Sequence, residues 1–198
     1  LDLSWLYGSS TTDAAVLRSG IRGQMLLSQG GNLPIDGQGL FVSGLSLLAS
    51  PGPGVNENVI IAALTTLFAL EHNFWANELC ALNPGWSDDQ LFYKARSYLI
   101  AEYQSIVFNE WIPAVLPIVA APPMGGAGGA LGGGIGGVGS LNSSQATLEF
   151  ATAAAQFFRS MVNGVRGTLD APWVLPVTFL NGTATVASVV GTGVPAIL

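Results

Sequence analysis

The feature that most limits how this 198-residue chain can fold is one long apolar stretch, which is closed by a proline and a glycine. Apolar side chains recur at three- and four-residue intervals between Asn56 and Leu82, and this period predicts an α-helix. From Val59 to Leu70 the stretch is apolar on nearly every side, so we expect the helix to be buried all round. This run is shorter than the roughly 20 residues needed to cross a bilayer, which favours a core helix over a transmembrane segment.

Two more helices are predicted further along the chain. A capping box at residues 87–90 indicates where the second helix begins, and Pro113 indicates that it stops just before that residue. The third helix should span about 144–162 and end at an Asn-Gly pair. The tail over 177–190 has β-branched residues in partial alternation, which gives it weak strand potential. The first 55 residues combine turn signals with short apolar pieces.

Residues 121–143 are dominated by glycine, and we expect a flexible loop there because few side chains are present to bury. The segment contains a G-x-G-x-x-G match at 134–139, but no strand is predicted before it and no acidic residue follows about 20 positions later. A dinucleotide site is therefore not expected. The prediction is one mainly α-helical domain over 1–198, with long loops and this glycine-rich insertion, taken from a longer polypeptide.

The surface composition points to covered faces. Only 9% of the residues are charged, against roughly 25% in typical soluble domains. We expect other chains, or the remainder of the same polypeptide, to cover part of this surface in an oligomer or larger assembly.

The net charge of −6 and the scattered Lys and Arg residues exclude a nucleic-acid-binding stripe. Sequons at Asn142 and Asn181 favour a secreted, extracellular glycoprotein.

His72 is the single histidine of the chain, and its helical neighbours Phe68 and Trp75 place it on a core face. Nothing at four residues on either side completes a metal site with it. Cys80 lies two helical turns away, without an adjacent base that would make it a nucleophile. We interpret His72 as a buried imidazole bonded to backbone or to a carboxylate, and Cys80 as a buried thiol.

Several sequence blocks together resemble a known family. In chain order they are LDLSWLYGSS, EHN, NPGWSDD, ARSYLIAEYQ and EFATAA. This series resembles the animal-type haem peroxidases, the superfamily of myeloperoxidase, peroxidasin and cyclooxygenase, over residues 1 to about 116 and 149–162. The resemblance implies a partial peroxidase core of helices, and it implies that His72 packs inside a core helix and does not bind haem.

The resemblance also implies which residues would serve haem chemistry. The proximal histidine position is occupied by Arg159, whose permanently protonated guanidinium has no lone pair for iron. The distal arginine position is occupied by Gly54. Glu57 matches the glutamate that esterifies the haem in mammalian members. Asp2 and Ser4 match two ligands of the family's calcium site, whose other ligands lie upstream; alternatively, they cap a turn.

We therefore expect a non-catalytic, peroxidase-like (pseudoperoxidase) domain with a structural role in assembly, without haem or calcium as cofactor. The alternative is an active haem peroxidase or fatty-acid dioxygenase that uses haem and calcium. Its distal half would lie in sequence outside these residues, and Met161 or Gln156 would approach the iron. A weaker alternative is a haem-binding module without turnover, in which a rearranged helix presents His72 as the ligand.

Overall fold

The computed structural model describes residues 1–48, 54–115, 165–168, 171–174 and 182–197. In chain order its elements are α1 (Ser4–Tyr7), α2 (Thr11–Leu17), α3 (Gly44–Leu48), a 3-10 turn (Gly54–Glu57), α4 (Val59–Leu82), α5 (Asp88–Ile106), a π-helical turn (Val107–Trp111), α6 (Ile112–Val115), strands β1 (Val165–Thr168) and β2 (Ala171–Val174), α7 (Gly182–Thr192) and α8 (Val194–Ile197). The chain divides into two compact units, Leu1–Ile106 with Val165–Leu198, and Val107–Gly164. The described residues are mainly α-helical, as predicted.

The long helix α4 confirms the predicted helix, with a start slightly later than expected. The expectation that it is buried all round is wrong, because Leu64, Leu67 and Leu70 are 39%, 43% and 39% exposed. Asn58 caps it, because the side-chain oxygen accepts a hydrogen bond from the backbone N–H of Ile60 at 2.7 Å. Asn56 lies before the helix, where its amide makes two 2.9 Å hydrogen bonds to the backbone of Phe41. The helix ends at Leu82, directly before the Asn-Pro-Gly sequence.

Small residues on α4 allow its neighbours to approach closely. Ala62, Ala63, Ala69 and Ala76 are each completely buried. The helix contacts α1, α5, α7, α8 and the 3-10 turn. With 24 residues, α4 is long and apolar enough to cross a membrane by length and composition alone. Its packing against five other elements leads us to interpret it as the core helix of this unit.

The second predicted helix also begins as expected. Ser87 and Gln90 form the capping box, with the backbone N–H of each donating to the side chain of the other. The predicted stop before Pro113 is wrong, because a π-helical turn and α6 follow α5 and include this proline. Pro113 is the second residue of α6, which follows directly on the π-helical turn.

The buried residues of α5 end earlier along the helix than its helical spacing of apolar residues suggests. Leu91, Phe92, Ala95 and Leu99 are buried, whereas the side chain of Ile106 is 42% exposed. The exposed end of α5 therefore presents apolar surface that the helical period alone assigns to the core.

The expected strand potential of the tail is wrong for the residues that the structure describes there, since α7 occupies 182–192. Val186 and Val189 are buried in the main core cluster, three positions apart on one face of the helix. Contacts with α4 thus outweigh the β-propensity of valine. β1 and β2 form an antiparallel hairpin in which Val165 pairs with Val174. The predicted third helix and the glycine-rich loop at 121–143 lie outside the described residues.

Candidate functional site

His72 lies at the centre of the described core and is completely buried. Its Nε2 atom lies 2.9 Å from the carbonyl oxygen of Gly23, and its Nδ1 atom lies 2.7 Å from the hydroxyl of Tyr7. Because a carbonyl oxygen can only accept, Nε2 carries the proton and Nδ1 accepts from the tyrosine O–H. The imidazole is therefore held as one neutral tautomer with both nitrogens in use.

The structure confirms that His72 is a buried imidazole bonded to backbone, which was one of the two predicted alternatives. The second partner of the ring is Tyr7. This tyrosine ends α1 and is separated from His72 by 65 positions, so no local spacing reveals the pair. Gly23 is placed by its left-handed backbone, with φ of +70°. A Cβ atom at Gly23 would lie only 2.5 Å from the backbone nitrogen of Phe92, so the close approach to α5 requires glycine.

Burial controls the protonation of both partners. Desolvation lowers the pKa of His72 to about 4, against a smaller opposing effect of the hydrogen bond to Gly23. Desolvation also raises the pKa of Tyr7 far above its usual value. At neutral pH the pair is therefore an uncharged Tyr–His hydrogen bond, which suits packing and offers no lone pair to a metal ion.

Aromatic rings and arginines surround this pair. The ring of Phe92 lies 5.0 Å from that of His72 and 5.8 Å from that of Tyr7. The guanidinium of Arg96 lies 4.7 Å from the centre of the Tyr7 ring, and that of Arg18 lies 4.2 Å from the centre of the Phe92 ring. Residues from the L-Y-G-S, E-H-N and A-R blocks thus meet in one packed cluster.

Two salt bridges anchor the cluster to the start of α5. Arg18 donates to Asp88 at 2.5 Å and to Asp89 at 2.7 Å. Asp88 also accepts a hydrogen bond from the backbone N–H of Gly23, the residue whose carbonyl oxygen bonds His72. Asn73 ties the same segment to α4 through two hydrogen bonds to the backbone of Met25. The acidic pair of the W-S-D-D block therefore works as a structural anchor in this fold.

Gly54 occupies the position that the resemblance gives to the distal arginine. It is buried and has a φ of +55°, a backbone conformation that residues with a side chain rarely adopt. A Cβ atom there would lie 2.6 Å from the Cα atom of Ser46, so an arginine requires the backbone to shift. Glu57, at the predicted haem-ester position, is half-buried at the end of the 3-10 turn.

The predicted calcium residues lie at the start of α1. The carboxylate of Asp2 accepts a hydrogen bond from the backbone N–H of Ser4 at 3.1 Å, and this bond is the main reason that the pKa of Asp2 is lowered. The arrangement is that of an Asx turn, and Leu3 at the N-cap position of α1 supplies no side-chain cap. Within the described ranges no three or more His, Cys, Asp or Glu side chains cluster as metal ligands do. The calcium half-site stays a prediction.

Other predicted site residues lie outside the part of the chain that the structure describes: Gln156, Arg159, Met161 and the two sequon asparagines, Asn142 and Asn181. Cys80 lies inside it and is half-buried against a small second cluster that includes Ala76 and Leu79. The buried thiol expected from the sequence is thus a partly exposed one.

A groove between α4 and α5 was not anticipated from the sequence. It has a volume of about 390 Å³ and is lined by Leu67, Phe68, Glu71, Glu102, Ser105 and Ile106. The indole N–H of Trp75 donates to the Glu102 carboxylate at 2.9 Å. Burial raises the pKa of Glu102, and the like charge of Glu71 raises it further. The sequence did contain a hint of this groove, because Leu64 and Leu67 recur at helical spacing close to Glu71. The expectation that the helix is buried all round placed both leucines in the core instead.

Comparison with known proteins supports the interpretation of these blocks. The animal haem peroxidase family model matches residues 1–175. Dual oxidase 1 from Homo sapiens is 34% identical over 132 residues, which cover 59% of this chain and 8% of that protein. Peroxidasin from Drosophila melanogaster is 32% identical over 185 residues, which cover 86% of this chain and 12% of that protein. The chain thus corresponds to a small part of each of these relatives.

Solved structures show the same fold. Peroxidase A from Dictyostelium discoideum superposes with a TM-score of 0.70 at 22% identity, over 99% of this chain and 38% of that one. A fatty acid alpha-dioxygenase from Oryza sativa reaches a TM-score of 0.51 at 24% identity, over 59% of this chain and 18% of that one. The predicted peroxidase-like helical fold is therefore confirmed. With a family model matched from the first residue through residue 175, this chain belongs to the animal haem peroxidase family.

Proposed function

We propose that this chain is a non-catalytic, peroxidase-like domain that serves packing and assembly in a larger extracellular glycoprotein. One observation carries the proposal. The sequence has a single histidine, and both of its ring nitrogens are engaged in a buried network with Tyr7 and Gly23. Iron in a histidine-ligated haem needs an imidazole lone pair, and His72 has none to offer.

The residues on the distal side support the same proposal. A haem peroxidase stabilises the charge that develops during O–O cleavage with a cationic side chain. Gly54 has no side chain, and its contact with Ser46 leaves no room for one. At the proximal position, Arg159 is a permanent cation. These residues do not fit a peroxidase haem site, so we assign no catalytic step to the chain.

The proposed assembly role draws on composition and exposed surface. With 9% charged residues, the chain has little charged surface of its own. Several large apolar side chains are exposed, among them Phe74 at 51% and Leu82 at 76%. We propose that other chains, or the remainder of the polypeptide, cover these faces of a single domain spanning 1–198. The proposed glycans on Asn142 and Asn181 would place it outside the cell.

A second candidate is an active haem peroxidase or fatty-acid dioxygenase. Membership of the family favours it, as does the retention of Glu57 at the haem-ester position. In this proposal sequence beyond the 198 residues supplies the distal side, and Met161 or Gln156 holds the iron. Calcium would bind at Asp2 and Ser4 together with ligands from that same sequence.

Haemin titration of the purified chain, followed by visible absorption, distinguishes the candidates. The non-catalytic proposal predicts that no Soret band of protein-bound haem appears and that free haemin is recovered by gel filtration. One bound haem per chain would contradict it. In that case, loss of the band in Met161→Leu or Gln156→Ala would identify the ligand, and peroxide-dependent oxidation of a dye by the haem-loaded chain would establish the second candidate.

A further inference from the structure

The exposed side of α4 carries large apolar side chains, with Glu71 and Glu78 between them. Leu64, Leu67, Phe74 and Leu82 are 39%, 43%, 51% and 76% exposed, respectively. Because an α-helix turns about 100° per residue, the spacings of three, seven and eight place these four side chains on one side of the helix. Apolar side chains at this period on a helix surface are typical of a face that packs against another helix.

α5 supplies the second wall of the groove beside these side chains. Ile106 is 42% exposed and lines the groove together with Ser105, while the half-buried ring of Phe68 contributes to it from α4. α4 and α5 thus each contribute apolar side chains to one groove, the kind of surface into which an amphipathic helix lays its apolar face.

The charges in the groove are all of one sign. Glu71 from α4 and Glu102 from α5 line it. Burial raises the pKa of Glu102, and the like charge of Glu71 adds to this effect. Among the described lining residues there is no lysine or arginine. Three basic side chains of the same unit are engaged elsewhere: Arg18 with Asp88 and Asp89, Lys94 over Tyr98, and Arg96 over Tyr7.

We propose that the groove between α4 and α5 binds a cationic amphipathic α-helix of a separate protein chain. Its apolar side chains would cover Leu64, Leu67 and Phe74, and a lysine or arginine would lie between Glu71 and Glu102. Charge complementarity selects this occupant. A second copy is disfavoured, because the same carboxylates would face each other and each chain carries a net charge of −6. This inference deepens the proposed assembly role and rests on it.

The test is a fluorescence-anisotropy titration of the whole chain with two synthetic helical peptides of roughly five turns. One repeats leucine and lysine, and the other has the same leucine pattern with glutamate in place of lysine. We expect the Leu/Lys peptide to bind one per chain. The variant Glu71→Gln/Glu102→Gln should weaken its binding by about tenfold and reduce the salt dependence. Leu67→Ser should also weaken binding, and because this side chain is 43% exposed, the fold should not suffer.

Glu110→Gln is the matched control for charge, since Glu110 is exposed and is not a lining residue of the groove. It should leave affinity within about twofold of the wild type. Equal weakening by Glu110→Gln and by Glu71→Gln/Glu102→Gln would overturn the proposal, as would equal binding of the Leu/Glu peptide or no binding of either peptide. Dimerisation in light scattering that Leu67→Ser abolishes would assign the groove to a second copy. Binding to phosphatidylcholine vesicles that Leu67→Ser abolishes would assign it to a membrane surface.

The peptide titration contains no haemin, so it can fail independently of the proposed function. Peptide binding by a chain that also binds one haem would refute the haem-free structural role and leave the groove assignment in place. Absence of both kinds of binding would refute the groove assignment and leave the non-catalytic role.

Discussion

Acidification offers the most direct test of how His72 is held. Its pKa is about 4 in the folded protein and near 6.5 when the side chain is exposed. Between these values the unfolded chain binds a proton that the folded chain does not, so the free energy of unfolding must fall as pH falls through this window. The slope is about 1.4 kcal/mol per pH unit, and the full difference is about 3 kcal/mol once the pH reaches the folded value.

Two measurements check this expectation. Urea denaturation at a series of pH values between about 7 and 4.5 should show the decline in the wild type and a smaller one in His72→Gln, which cannot titrate. Because the chain has a single histidine, one imidazole carbon resonance reports on it in NMR. That resonance should not shift between about pH 8 and pH 5.5 in the folded protein. A midpoint near 6.5 in the folded state, or an equal decline in wild type and variant, would refute the buried neutral imidazole.

Three further predictions concern the hydrogen-bond network, the backbone and the glycans. Tyr7→Phe keeps the ring but leaves an imidazole nitrogen without a donor, so urea denaturation should show a loss of about 1–3 kcal/mol; an unchanged midpoint would contradict the bond. Gly54→Ala should lower the thermal midpoint more than Gly20→Ala. Both glycines have a positive φ, but of the two only Gly54 would bring a new Cβ atom against the backbone. Equal losses of thermal midpoint would contradict this packing of Gly54. In a secreting eukaryotic host, the chain should lose glycosidase-sensitive mass when Asn142→Gln and Asn181→Gln are combined; an unmodified wild type would count against the extracellular proposal.

Helix positions were the part of the fold most accessible from sequence. α4 and α5 begin close to where their caps and period predict, because Asn58 and the Ser87 capping box satisfy local backbone groups whatever surrounds them. Elements that depend on partners were predicted less well. The valines of α7 have strand potential by themselves, and contact with α4 places them in a helix instead.

The candidate site divides in the same way. The absence of a second histidine, and of an arginine at Gly54, can be read from the sequence because it depends only on residue identity. The role of His72 as a packed residue followed from its apolar neighbours. Three contacts could not be predicted from the sequence. They are the hydrogen bond of His72 to Tyr7, the close approach of Gly54 to Ser46, and the presence of Glu71 and Glu102 in one groove.

What the sequence determined by itself was therefore local and chemical: where helices begin, which side chains can bind iron, and how few charges the surface carries. The tertiary structure alone decided which apolar residues stay exposed and which polar groups meet. The sequence shows that Leu67 and Ala69 are apolar residues of one predicted helix. It does not show that Leu67 is exposed to solvent and that Ala69 is buried in the core. The physical reason is that burial depends on contacts between residues distant in sequence, and their relative positions are not encoded in any local pattern.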